Sequence, residues 1–181
     1  MELINCFIEG LIIFKPRIFE DHRGLFFESF NENKYSEYLG SELKLVQDNI
    51  SISKVNVLRG LHFQLPPYSQ GKLVSVVKGR VLDVAVDLRK ESSTFGRHFS
   101  IELSALNKLQ LWIPPGFAHG FVTLEEDTIF SYKCSNYYSP NHEQTILWND
   151  DTLEIDWKVT NPIISLKDEE GINFTIFNSP F

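Results

Sequence analysis

The 181-residue sequence predicts an all-β fold, a sandwich or barrel carrying a few short helices. Three observations point there. Residues alternate with period two along Val81–Arg89, where Leu82, Val84, Val86 and Leu88 share one face and Asp83, Asp87 and Arg89 the other. Ile101 and Leu103, then Leu109, Leu111 and Ile113, repeat the pattern. Turn signals recur about every 8–12 residues, the spacing of short antiparallel strands. Hydrophobic residues make up 43% and aromatics 13%, with fifteen Phe, which suits a thick sandwich or a large subunit contact. The length suits a single domain over residues 1–181, with an N-terminal arm over about 1–20 and a C-terminal tail over about 169–181.

Taken in order, residues 1–20 alternate loosely around Pro16 and predict edge strands. Asp21-His22-Arg23-Gly24 is a polar turn, and Leu25–Phe30, which carries Glu28, returns to a strand. Asn31–Leu39 is the clearest helix: Asn31 caps it, Tyr35, Tyr38 and Leu39 form one face, and Gly40 ends it. Val46–Ile50 is a polar cluster that reads as a turn, since Asn and Asp favour turns. Leu73–Val77 and Val81–Arg89 are strands, with Gly79 at a hairpin turn between them. Phe121–Leu124 and Thr128–Tyr132 read as a second hairpin around Glu125-Glu126-Asp127. Pro140–Thr145 and Ser165–Glu170 can each hold a helical turn, and Ser165 with Asp168 fits a capping box. The tail beyond Asp168 reads as a strand or an arm.

The net charge of −7 argues against a nucleic-acid or membrane surface as partner. An anionic ligand then needs a local basic site, because charges are screened beyond roughly 8–10 Å. Cys6 and Cys134 sit in no metal or redox spacing, and no apolar run approaches the ~20 residues that span a bilayer. These features predict a soluble, cytoplasmic protein with reduced thiols.

Val57–Lys72, VLRGLHFQLPPYSQGK, gathers Arg59, His62 and Lys72 before a strand. A titratable base with two cations suggests a pocket for an anion, while a solvated loop with a structural histidine is the plainer alternative. Pro114-Pro115-Gly116-Phe117-Ala118-His119 fits P-x-G-x-x-H, which resembles the second motif of the cupin superfamily of jelly-roll barrels. Metal-binding cupins also carry H-x-H, then a glutamate, then six residues and a glycine. Here the stretch is His62-Phe63-Gln64, then Lys72, six residues and Gly79. A divalent ion wants imidazoles and a carboxylate, and an ammonium at the carboxylate position repels it. The sequence therefore predicts a pocket without a catalytic metal, in which a cation stabilises negative charge on substrate.

The motifs DHRGLFFESF, VQDN, VLRGLHFQ, QGKLV, GRVLDVAVDLR, LWIPPGFAHGF, YKCSNYY and ILWND, in this order, resemble the dTDP-4-dehydrorhamnose 3,5-epimerase family. The resemblance implies a cupin-type jelly-roll barrel, a homodimer, no cofactor, and a dTDP-sugar substrate, dTDP-4-dehydro-6-deoxy-D-glucose. It makes His62 the base, paired with Asp168, Tyr132 the acid on the opposite side, and Lys72 the residue near the sugar ketone. It assigns ligand contacts to Arg23, Glu28, Gln47, Asn49, Arg59, His119, Glu143 and Lys167, and stacking on the nucleotide base to Tyr138.

These residue types suit the chemistry. A C–H bond beside a ketone is acidic because the resulting anion spreads onto oxygen, and carbons 3 and 5 both flank carbon 4. Inversion needs a base on one face, an acid on the other, and a donor for the enolate oxygen. Histidine titrates near working pH, and guanidinium groups such as Arg23 and Arg59 bind diphosphate in a fork. Each has a plainer reading: a core tyrosine, a surface lysine, surface ion pairs, a structural His119. Two other functions compete, an epimerase that inverts one carbon of a related nucleotide sugar and a non-catalytic ligand-binding cupin.

Overall fold

The computed structural model describes residues Met1–Phe181. Its strands are β1 (Glu2–Asn5), β2 (Ile12–Lys15), β3 (Ile18–Asp21), β4 (Gly24–Phe27), β5 (Gln47–Ser53), β6 (Leu58–Gln64), β7 (Lys72–Lys78), β8 (Arg80–Asp87), β9 (His98–Ser104), β10 (Gln110–Ile113), β11 (Phe117–Thr123), β12 (Thr128–Cys134) and β13 (Glu143–Thr145). Two helices join them, α1 (Glu32–Leu39) and α2 (Leu166–Glu169). A six-stranded sheet of order β1-β2-β10-β7-β12-β5 faces a five-stranded sheet of order β13-β6-β11-β8-β9, and β3 and β4 form a separate hairpin. This is the all-β jelly roll with few helices that the motifs implied.

Successive strands tend to cross between the two sheets. β7 and β8 belong to different sheets, as do β11 and β12. The hairpins expected at Gly79 and at Glu125-Glu126-Asp127 are therefore corners. Gly79 has φ +78°, and a Cβ there would lie 2.4 Å from Thr128 Oγ1, so the corner needs glycine.

Three apolar layers follow from the pleat. Side chains of Val74, Val76, Val81, Ala85, Leu111, Phe117, Phe121 and Phe130 fill the space between the sheets. The other face of the five-stranded sheet, including Leu58, Leu61, Val84, Val86 and Leu88, is covered by Ile146, Leu153, Trp157 and the rings of Phe174, Phe177 and Phe181. Both faces of β8 are thus buried, and its polar residues Asp83 and Asp87 have no exposure. Burial works against the Asp87 carboxylate, but hydrogen bonds from Arg89, Ser92 and Thr94 hold its pKa at about 2. On the six-stranded sheet, α1 packs Tyr35 against Phe14, Leu73 and Trp112. Asn31 caps α1 by accepting from the Lys34 N–H, and Gly40 closes it, as the sequence predicts.

Residues 1–20 do not form one arm. β1 and β2 join the six-stranded sheet, β2 lying between β1 and β10, and only β3 stands off, in the hairpin. The C-terminal tail is neither a strand nor an arm: its phenylalanines fold back on the five-stranded sheet. Val46–Ile50 is not a turn, because Gln47 begins β5 and pairs along β12.

Candidate active site

A cavity of about 390 Å³ opens between the sheets, lined by residues of both. On β5, Gln47, Asn49 and Ser51 are two residues apart and so face it together. Tyr132 sits beside Asn49 on β12, and Lys72 opens β7 opposite Cys134. From the five-stranded sheet come Arg59 and His62 of β6 and His119 and Phe121 of β11, with Gln70, Tyr138 and Glu143 completing the wall.

Arg59 and His62 are three apart, and on a regular strand they would face opposite sides. They share the cavity because β6 carries an extra residue. His62 pairs with His119 and Arg59 with Phe121, so β6 spends three residues where β11 spends two. The irregularity depends on Gly60, φ +136°, where a Cβ would lie 2.5 Å from Gly120 Cα.

His62 Nε2 lies 2.5 Å from Asp168 Oδ1. Asp168, on α2, is 4% exposed in its side chain, and Ser165 Oγ donates to its other oxygen at 2.8 Å. Ser165 is also the N-cap of α2, so the expected capping box builds the histidine's partner into place. Burial works to raise the Asp168 pKa, but hydrogen bonds from His62 and Ser165 leave it below the usual value. An ionised carboxylate only accepts, so the His62 proton sits on Nε2 and the Nδ1 lone pair is free.

Lys72 is half-buried in the cavity wall, and desolvation there lowers its pKa. Burial raises that of Tyr132, which therefore stays a neutral phenol able to give a proton. His119 Nε2 lies 2.9 Å from Asp83 Oδ2, and desolvation in this mostly buried setting pushes the His119 pKa down. Arg59 rests on Ser53 Oγ. At the rim, Tyr138 donates to Glu143 Oε2 at 2.7 Å, and Lys167 pairs with the same carboxylate. Burial works to raise the Glu143 pKa, but these two hydrogen bonds leave it lowered. Arg59 and Lys72 thus place two basic side chains in one cavity of a chain whose net charge is −7.

Two expected ligand contacts lie elsewhere. Arg23, at the turn of the β3–β4 hairpin, pairs with Asp21, and Glu28 binds Lys34 and Asn31. Neither lines the cavity.

A family model described as dTDP-4-dehydrorhamnose 3,5-epimerase matches residues 5–175. The chain belongs to the dTDP-4-dehydrorhamnose 3,5-epimerase family. The family member of that name from Shigella flexneri is 52% identical, the match covering 96% of each chain. A solved dTDP-6-deoxy-D-glucose-3,5-epimerase from Legionella pneumophila, in complex with dTDP-4-keto-L-rhamnose, is 46% identical with a TM-score of 0.93, covering 98% of this chain and 94% of that one. A 3'-monoepimerase from Streptomyces bikiniensis in complex with dTDP-quinovose is 32% identical with a TM-score of 0.89, covering 94% and 86%.

The epimerase is thus an isomerase with its candidate base, acid and cation in one cavity. Sequence reasoning missed Ser51, Gln70 and Phe121 in the wall, and Asp83 beneath His119. Ser51 was legible in principle, being two residues beyond Asn49 on one strand. Asp83 carried no such signal, since with Asp87 and Arg89 it read as the polar face of an alternating strand.

Proposed function

We propose that the enzyme converts dTDP-4-dehydro-6-deoxy-D-glucose into dTDP-4-dehydro-L-rhamnose by inverting carbons 3 and 5. The observation that carries this reading is that His62, Lys72 and Tyr132, from three strands in two sheets, line one cavity, with His62 tied to Asp168. His62 Nδ1 takes the proton from the carbon beside the ketone, and Asp168 steadies the imidazolium that forms. The electron pair moves onto the carbonyl oxygen, where the Lys72 ammonium stabilises it. Tyr132 delivers a proton to carbon from the other face as the enolate oxygen returns its electron pair to the carbonyl. His62 then releases its proton to solvent and the Tyr132 phenolate regains one from it, after which a second round inverts the second carbon.

In the same reading Arg59 holds the diphosphate, Tyr138 stacks on the thymine, and Gln47, Asn49, His119, Glu143 and Lys167 complete the ligand contacts. Arg23 and Glu28 reach the ligand of a second copy in a homodimer. Support comes from the β3–β4 hairpin, which stands off the barrel with Ile18, Phe19, Leu25 and Phe26 all exposed. The side chains alone perform the proposed chemistry, in the cytoplasm, where the free Cys6 and Cys134 stay reduced. Gln64 and Lys72 form a poor donor set for a divalent ion.

Turnover of the 4-dehydro sugar in heavy water tests the reading. Two solvent deuterons per product are expected. One deuteron marks a single-carbon epimerase, and none marks a protein that only binds.

A further inference from the structure

Gln64 occupies the position of the second histidine in the H-x-H pattern, yet it does not line the cavity. It is buried, and every hydrogen-bonding group of its amide is used. Its Nε2 donates to Tyr68 O at 2.6 Å and to Tyr137 O at 3.2 Å, and its Oε1 accepts from Ser139 N at 2.7 Å. On the facing sheet, Gln47 Oε1 accepts from Tyr138 N at 2.8 Å. The peptide unit between Tyr137 and Tyr138 is therefore gripped at both ends, its carbonyl by a glutamine of β6 and its N–H by a glutamine of β5. Gln64 also pairs in register with Glu143, the residue that takes the Tyr138 hydroxyl.

We propose that Gln64 is a positioning residue for nucleotide binding: it fixes the backbone on either side of Tyr138, so that this ring stands ready at the cavity rim to receive the base of a nucleoside diphosphate. The side chain of Tyr138 is itself half exposed, with one hydroxyl bond to hold it. A ring on an untethered loop would lose conformational freedom on every binding event; a clamped one has lost it already. A place that holds a metal ligand in other barrels of this type here serves to preorganise the ligand's neighbour. The clamp rests on the reading of the cavity as a dTDP-sugar site.

Calorimetric titration with dTDP, together with steady-state kinetics, tests it on four proteins: wild type, Gln64→Met, Tyr138→Ala and the double variant. Gln64→Met should weaken dTDP about tenfold and raise KM in parallel, with kcat held within about threefold. In the Tyr138→Ala background the same change should cost less than about threefold, because the ring it positions is gone. An unchanged dTDP affinity in Gln64→Met, or an equal tenfold loss with and without the tyrosine ring, overturns the clamp. Where the apolar variant does not fold, Gln64→Glu carries the same test: its carboxylate still accepts from Ser139 N–H but repels the two carbonyls. Wild-type protein that binds no dTDP overturns the site reading itself, a result separate from any behaviour of the variants.

Discussion

Two histidine–aspartate pairs lie side by side in the barrel, on adjacent strands and in direct register, since His62 of β6 is the pairing partner of His119 of β11. The chemical groups are the same and the settings differ. The His62 side chain is 25% exposed, and its aspartate arrives on a one-turn helix whose N-cap Ser165 holds one carboxylate oxygen while His62 holds the other. His119 is 7% exposed, its aspartate is woven into β8, and Asp83 Oδ1 has no partner. A ring with access to the cavity can gain a proton and pass it on. A ring that reaches the cavity with only a small part of its surface is kept neutral by desolvation and serves to shape and line the wall. Accessibility, more than the presence of a carboxylate, separates the proposed base from its neighbour.

The largest expected effect breaks the comparison outright. His62→Ala should cut turnover by about 10³-fold, within the general-base range, and abolish deuterium exchange at both carbons. Should His119→Ala do this while His62→Ala exchanges normally, the two roles are reversed. Asp168→Asn comes next: the amide donates to Nε2 and favours the wrong tautomer, for a loss of about 10²–10⁴ in kcat with little change in KM.

Asp83→Asn sharpens the contrast. It should lower kcat by about tenfold or less, while destabilising the fold by about 1–3 kcal/mol through the altered buried contact. Thermal unfolding and kinetics on the same protein read both quantities. A variant as inactive as Asp168→Asn would make the buried pair part of the chemistry.

The smallest effect separates the site from its frame. Asp87 has a folded pKa of about 2, below its unfolded value of about 3.9, so its stabilisation is fully present above pH 4 and lost as pH falls towards 2. It amounts to about 2–3 kcal/mol. Asp168 is shifted in the same direction and adds to the acid sensitivity. Asp87→Asn should flatten denaturant-derived stability between pH 4 and 2, and a curve as steep as that of wild type would remove Asp87 from the account.

Much of this was legible beforehand. Period two gave the strands, and Asn31 with Gly40 bracketed α1, because capping is local. The family resemblance carried most of the cavity residues between Gln47 and Glu143, though not Ser51, Gln70 or Phe121. What stayed hidden was non-local. Gly79 and Glu125–Asp127 mark tight reversals, and the same residue types serve a hairpin or a corner between sheets. Val46–Ile50 read as a turn because its polar residues face a cavity that the sequence does not display. Arg59 and His62 have the wrong spacing for one face, and only the extra residue in β6 reconciles them. Arg23 stands apart because it sits on the β3–β4 hairpin off the barrel, and Glu28 because it follows that hairpin and pairs with Lys34.

Asp168 and Lys167 follow every strand in the chain, on a helix of four residues. During translation the barrel walls, including His62, Lys72 and Tyr132, leave the ribosome first. The imidazole gains its carboxylate only when the segment beyond β13 docks, and the same segment brings Leu153, Trp157 and Phe177 onto the five-stranded sheet, so closing that apolar layer and completing the pair are one event.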